Sequence, residues 1–338
     1  MIPLLRVELT RLRWRRAVWL LLAVAVVVPT IIVISAILTS RPPSAEELTR
    51  IEQMVAEERE QPHVQQELES CVDDPDMYGV SPGVTDLEAE CASMVEPQVE
   101  WYSSYEPLSL RDQMDFGEGV AVVTVLTLLL MLAGTTFIGH DWNSGSMSNQ
   151  LLFESRRGRI WAAKGLVVTL TAFVVAAVVS SAYWLLLWAV ARSRDLPSGT
   201  GLLVDSLQFG LRGALFAAGA ALAGFALTML FRSTVATIGV LFALSVGAGV
   251  LIAVIGLSGS WQPGPNLEAI AKNGTTYWVE IPEHCYRQME SGNEEVPPNS
   301  ECDDSRDLSL TQGATYYGVL LLGSSVLSAV SFRRRDVP

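Results

Sequence analysis

Charge is what the long apolar runs of this sequence lack. Six runs, Ala17 to Leu38, Val120 to Ile138, Leu166 to Ala191, Gly213 to Phe231, Thr234 to Leu257 and Ala314 to Phe332, contain no Asp, Glu, Lys, Arg or His. Ion-coupled carriers and channels commonly place such groups at membrane depth, where their cost is tolerated for function, so the vacancy argues against that mode of action. A GxxxxGK[ST] phosphate loop is missing as well, as are HExxH and any paired carboxylates within the runs. Cysteine is scarce, four in 338 residues, and forms no CxxC, so a zinc centre is not expected. His284 stands beside Cys285, but no HxxxH or CxxC accompanies it, and a disulfide is the stronger reading.

What is present is hydrophobicity. Half of the residues are hydrophobic, mean hydropathy is +0.33 and 17% are charged, too apolar for an ordinary soluble domain of this length. Each run meets the roughly 20 residues needed to cross a hydrocarbon layer of about 30 Å. None shows the ten-residue alternation of a membrane barrel. The expected fold is therefore all-α, with six transmembrane helices. The first run is longer than the core of a cleaved signal and reads as a retained span.

Basic residues set the orientation. The amino terminus, residues 140–165, Arg232 and the carboxy terminus together hold 13 of the 23 Lys and Arg and only Glu8, Asp141, Glu154 and Asp336 as acids. The other segments hold 10 basic and 32 acidic residues, so charges of +9 and −22 make up the net −13. Both termini, including a basic tail at 333–338, are thereby expected in the cytoplasm of a multi-pass plasma-membrane protein. The acidic excess belongs to two outer segments, 40–119 and 258–313, where a solvated surface is a plainer reading than a cation site.

All four cysteines lie in those outer segments. Loop closure favours the local pairs Cys71–Cys91 and Cys285–Cys302, while a bridge between the segments stays open at this stage. Ser44-Ala-Glu-Glu47 has capping-box spacing, and a helix is expected from there until bent at Pro62. Residues 73–83 read as a loop, and the whole as a small stapled cap. Asn273-Gly-Thr matches a glycosylation sequon only weakly. Residues 1–16 read as an interfacial helix with Ile2, Leu5, Leu9 and Leu12 along one stripe.

Small residues recur every fourth position in two runs. Gly213, Ala217 and Ala221 stripe the fourth, and Gly239, Ala243 and Gly247 the fifth, which predicts close helix packing. Arg212 is expected to find Asp205 or Glu118.

Between the second and third runs stands DWNSGSMSNQLLFESRRGRIWAAKG, Asp141 to Gly165. Ser144 and Ser146 are possible caps, Met147, Leu151 and Leu152 share a helical face, and Glu154, Arg156, Arg157, Arg159 and Lys164 follow. A short amphipathic helix offered to a partner fits this pattern.

The stretch resembles the permease subunits of type-2 ATP-binding-cassette (ABC) exporters. The shared pattern is an acid after span two, a Gly145-Ser146 pair, the Leu151-Leu152 pair, basic residues and a small residue followed by lysine. RVELTRLRWRR, SFRRRD, the six spans and the short turn at Arg232 look alike too. The proline common after the leucine pair is replaced by Glu154 and Ser155, and the first outer segment is larger than usual.

The resemblance implies a membrane subunit paired with a second copy or paralogue and seated on two ATPase subunits that bind ATP and Mg. Catalysis would belong to those subunits, with no cofactor, metal or nucleic acid bound by this chain. Ser144 to Phe153 would be the coupling helix, and Asp141, Ser144, Gly145, Ser146, Met147, Gln150, Leu151, Leu152, Phe153, Arg156 and Arg157 the residues that couple the chain to the ATPase. An uncharged path suits export of a hydrophobic or amphipathic substrate. A secondary carrier, or a non-transporting sensor or scaffold with an acidic outer domain, would share the same six spans.

Overall fold

The structure is a computed structural model and describes residues 2–81, 84, 86–103, 105–255, 259–285 and 302–335. Among the described residues six helices are long and apolar enough to cross a membrane: α2 (Arg16–Thr39), α8 (Glu118–Asn143), α10 (Arg157–Ser193), α11 (Thr200–Phe231), α12 (Thr234–Ile255) and α14 (Leu310–Arg334). Each contains one of the six expected apolar runs, the fifth as far as Ile255, since residues 256–258 lie outside the described ones. Several extend well beyond their apolar run. At 1.5 Å per residue α10 is about 55 Å long, nearly twice a hydrocarbon core, because a helix once nucleated continues through Arg157–Gly165 at little cost per residue.

The chain divides into two compact units, residues 1–34 with 109–338 and residues 35–108. In the larger unit α8, α10 and α11 form the core. Glycines let their backbones approach: a Cβ on Gly134 would stand 2.5 Å from the Ala221 carbonyl oxygen, and one on Gly224 would stand 2.7 Å from that of Met131. Gly213, Ala217 and Ala221 are buried in the same seam. At one end of it Trp184 is buried between Tyr183 and Phe209 in edge-on ring contacts.

The second small-residue stripe behaves differently from its prediction. Gly239, Ala243 and Gly247 on α12 are exposed, and a Cβ on either glycine meets nothing within 4 Å. Spacing alone carries no information about which helix has a neighbour. Pro29 interrupts neither α2 nor its apolar run.

The two outer segments have structure of their own. The helix α7 (Leu110–Asp115) belongs to the bundle unit rather than to the preceding acidic segment. The second segment is not wholly helical: α13 (Pro263–Lys272) is followed by an antiparallel pair, β1 (Thr275–Trp278) with β2 (Ser305–Leu308). The cystine Cys285–Cys302 closes the excursion between these strands. Arg212 reaches Gln208 and the Ala271 carbonyl instead of Asp205 or Glu118, being one helical turn from the first and beside α13. Lys272 joins Glu268 to the Asp115 carbonyl, at 2.8 and 2.5 Å.

The smaller unit is the stapled cap the sequence suggested. It contains α3 (Ala45–Arg59), α4 (Pro62–Asp73), α5 (Leu87–Val95) and the single turn α6 (Val99–Tyr102). Ser44 and Glu47 complete the capping box, and the Ser44 N–H holds the Glu47 carboxyl below its usual range. Pro62 starts α4 at a first-turn position where its missing N–H costs nothing. Cys71–Cys91 is buried with Val80 against Leu68, Leu87 and Val95.

Candidate functional site: a buried charge cluster holding the short helix

The expected loop at 140–165 is mostly helix. The last turns of α8 carry His140 and Asp141, a two-residue turn follows, then α9 (Ser146–Phe153), then Glu154–Arg156 and the start of α10. The turn depends on Gly145, whose φ of +68° lies in the left-handed region open to glycine. Gly145 is therefore the residue before α9, and Ser144 closes α8, so neither serine caps the short helix with its side chain. The Ser146 hydroxyl instead donates to Asp141 Oδ1 at 3.0 Å.

Asp141 is fully buried, as are Glu8 on α1 (Ile2–Arg13) and Lys164 on α10. Lys164 Nζ lies 2.7 Å from Glu8 Oε2 and 2.5 Å from Asp141 Oδ2. Arg15 Nη2 takes the other Asp141 oxygen at 2.5 Å, and Arg15 Nη1 meets His140 Nδ1. The second Glu8 oxygen accepts from Gln150 Nε2 of α9, and Gln150 Oε1 in turn accepts from Arg11 at 3.0 Å. Two carboxylates thus face one lysine and two arginines, the second of them Arg11, 3.8 Å from Glu8. Burying these charges is tolerable only because each is paired and hydrogen-bonded.

The cluster fixes how α1 is rotated. Of the expected stripe, Leu5 and Leu12 turn inward while Ile2 and Leu9 are exposed. Glu8 occupies the centre of the inward face, because its pairing with Lys164 outweighs the apolar matching that periodicity measures.

It also fixes α9. Met147 and Gln150 are buried and Leu151 is half-buried, whereas Leu152 is 82% and Phe153 92% exposed. Met147 and Leu152 therefore do not share a face, since five residues turn a helix by about 140°. The inward face holds the helix, and the outward end presents two large apolar side chains. Arg156 and Arg159 beside them are exposed, while Arg157 donates to the Arg335 carbonyl near the end of α14 (Leu310–Arg334).

Glu8, Arg11, Arg15 and Lys164 had read only as terminal and loop charges. One signal was available: the chain has two lysines among 23 basic residues, Lys164 and Lys272, and both sit in tight contacts. Near the opposite end of the chain, His284, Cys285 and Cys302 place their ligand atoms within 4.8 Å, but both sulfurs belong to the disulfide. No protein-family model, curated protein or solved structure matches the chain.

Proposed function

We propose that this chain is the membrane-spanning permease subunit of an ATP-driven exporter of the type-2 ABC class. The observation that carries the reading is α9: a short helix tied by polar contacts to α8 and α1, and through the Lys164 cluster to α10, with Leu152 and Phe153 left exposed at its end. Ser146 links it to α8, and Gln150 links it through Glu8 and Lys164 to α1 and α10. A push on the exposed end is delivered to α8 directly and to α10 through the charge cluster. ATP and Mg belong to the partner ATPase subunits, whose groove receives Leu152 and Phe153.

In this reading α1 lies in the inner headgroup layer, with exposed Ile2, Leu9 and Trp14 toward lipid, and both termini are cytoplasmic. The uncharged spans suit an apolar or amphipathic cargo, which leaves by rearrangement of the helices between inward- and outward-open forms.

The test is affinity purification from native membranes followed by ATP turnover of the recovered assembly. Phe153→Asp places an unpaired carboxylate in the partner's apolar groove, a cost on the order of several kcal/mol, and should release the ATPase or uncouple its turnover. Arg156→Gln with Arg159→Gln should be milder, about 1 kcal/mol for each charge at an anionic surface. If the arginine pair proves essential while Phe153→Asp leaves an ATP-hydrolysing assembly intact, α9 is a lipid anchor. Flux that collapses with an uncoupler and needs no ATP would make the chain a secondary carrier.

A further inference from the structure

The two cystines differ in their surroundings. Cys71 and Cys91 are both fully buried in an apolar cluster. Cys285 is equally buried, but Cys302 is half-buried, and the exposed His284 places Nε2 3.6 Å from Cys285 Sγ. An attacking thiolate needs access to one sulfur, and the reaction is faster when the other sulfur leaves as a stabilised thiolate. In Cys285–Cys302 one cysteine is open in part to solvent and an imidazole stands beside the other sulfur, whereas Cys71 and Cys91 are both sealed and no such donor stands beside them among the described residues.

We infer that Cys285–Cys302 is a site of thiol–disulfide exchange, reducible by an extracytoplasmic dithiol, and that Cys71–Cys91 is a structural staple. The dithiol's thiolate attacks Cys302 Sγ, forming a mixed disulfide. The Cys285–Cys302 bond breaks, its electron pair leaves with Cys285 Sγ, and His284 Nε2–H donates to that sulfur as charge develops. The reductant's second thiol then attacks its own sulfur in the mixed disulfide and releases Cys302. The dithiol is thereby oxidised to a disulfide and the cystine reduced to two thiols, a transfer of two electrons and two protons. His284 acts as a positioning donor rather than a nucleophile. The inference does not depend on the transport reading.

The experiment uses the folded full chain in detergent, exposed to dithiothreitol for graded times, quenched with N-ethylmaleimide and mapped by mass spectrometry. Cys285 and Cys302 should be alkylated at least about tenfold sooner than Cys71 and Cys91, the difference expected for an accessible, donor-assisted sulfur against a sealed one. His284→Ala should slow the first pair severalfold and leave the second unchanged, the second pair serving as the measure of intact folding. Equal rates for the two cystines, a reversed order, or an unaltered Cys285–Cys302 rate in His284→Ala would overturn the inference.

Discussion

Lys164 has no solvent on any side and two carboxylates within 2.7 Å. Removing its ammonium strands Glu8, whose other contacts are Gln150 and a more distant Arg11 at 3.8 Å. Asp141 keeps Arg15 and Ser146. Lys164→Met should therefore destabilise the bundle by about 3 to 5 kcal/mol, the usual cost of leaving a buried charge without its partner. The double variant with Glu8→Gln should recover a large part of that loss, because the stranded charge is gone. Thermal unfolding in detergent of the single and double variants reads both effects, and a double variant as unstable as Lys164→Met would show the Glu8 contact to be of no consequence. This contact was invisible in the sequence for a physical reason. Residues 8 and 164 are 156 apart, and periodicity reports on a residue's own helix, not on which charge another helix brings to it.

Helices themselves were far easier to read than their neighbours. All six long apolar runs, the fifth as far as Ile255, lie in helices because length and composition decide that locally, and the capping box at Ser44 lies where its four residues place it. Packing is decided elsewhere. Gly213-Ala217-Ala221 and Gly239-Ala243-Gly247 have the same spacing, yet the first is sealed against α8 and the second faces outward. The rotation of α1 and the inward turn of Met147 likewise follow from Glu8 and Gln150, which no apolar pattern counts. Gly134→Ala should separate α8 from α11 at the cost of about 1 to 3 kcal/mol, since the obstructing atom is a backbone carbonyl that cannot turn aside. Gly239→Ala should cost the isolated chain nothing, or add up to about 1 kcal/mol through helix propensity. Unfolding of the two variants side by side checks this, and an equal loss at both positions would mean that α12 is as tightly packed as α11.

At the scale of the whole molecule, side-chain contacts sort the helix ends into two groups without reference to a membrane. Arg15 with Asp141, Gln150 with Glu8, and Arg157 with the Arg335 carbonyl gather the amino-terminal helix, the link between α8 and α10, and the end of α14. Lys272 with the Asp115 carbonyl, and Arg212 with that of Ala271, gather the end of α7 just before α8, part of α11 and the end of α13. On the proposed reading of six crossings the links would alternate between the two sides, and this grouping is the one such an arrangement would need. The first group is the one that carries the basic excess, and the proposed reading therefore places it on the cytoplasmic side. No native cysteine is free, and a Cys285→Ser, Cys302→Ser background, which removes the exchangeable cystine and leaves the sealed Cys71–Cys91 pair, makes the test clean. Met77→Cys, at an exposed position of the stapled cap, should react with a membrane-impermeant maleimide on intact cells. Ser155→Cys, exposed just beyond α9, should react only after the membrane is permeabilised. The reverse pattern would turn the molecule over, place α9 outside the cell, and leave Leu152 and Phe153 where no ATPase could reach them.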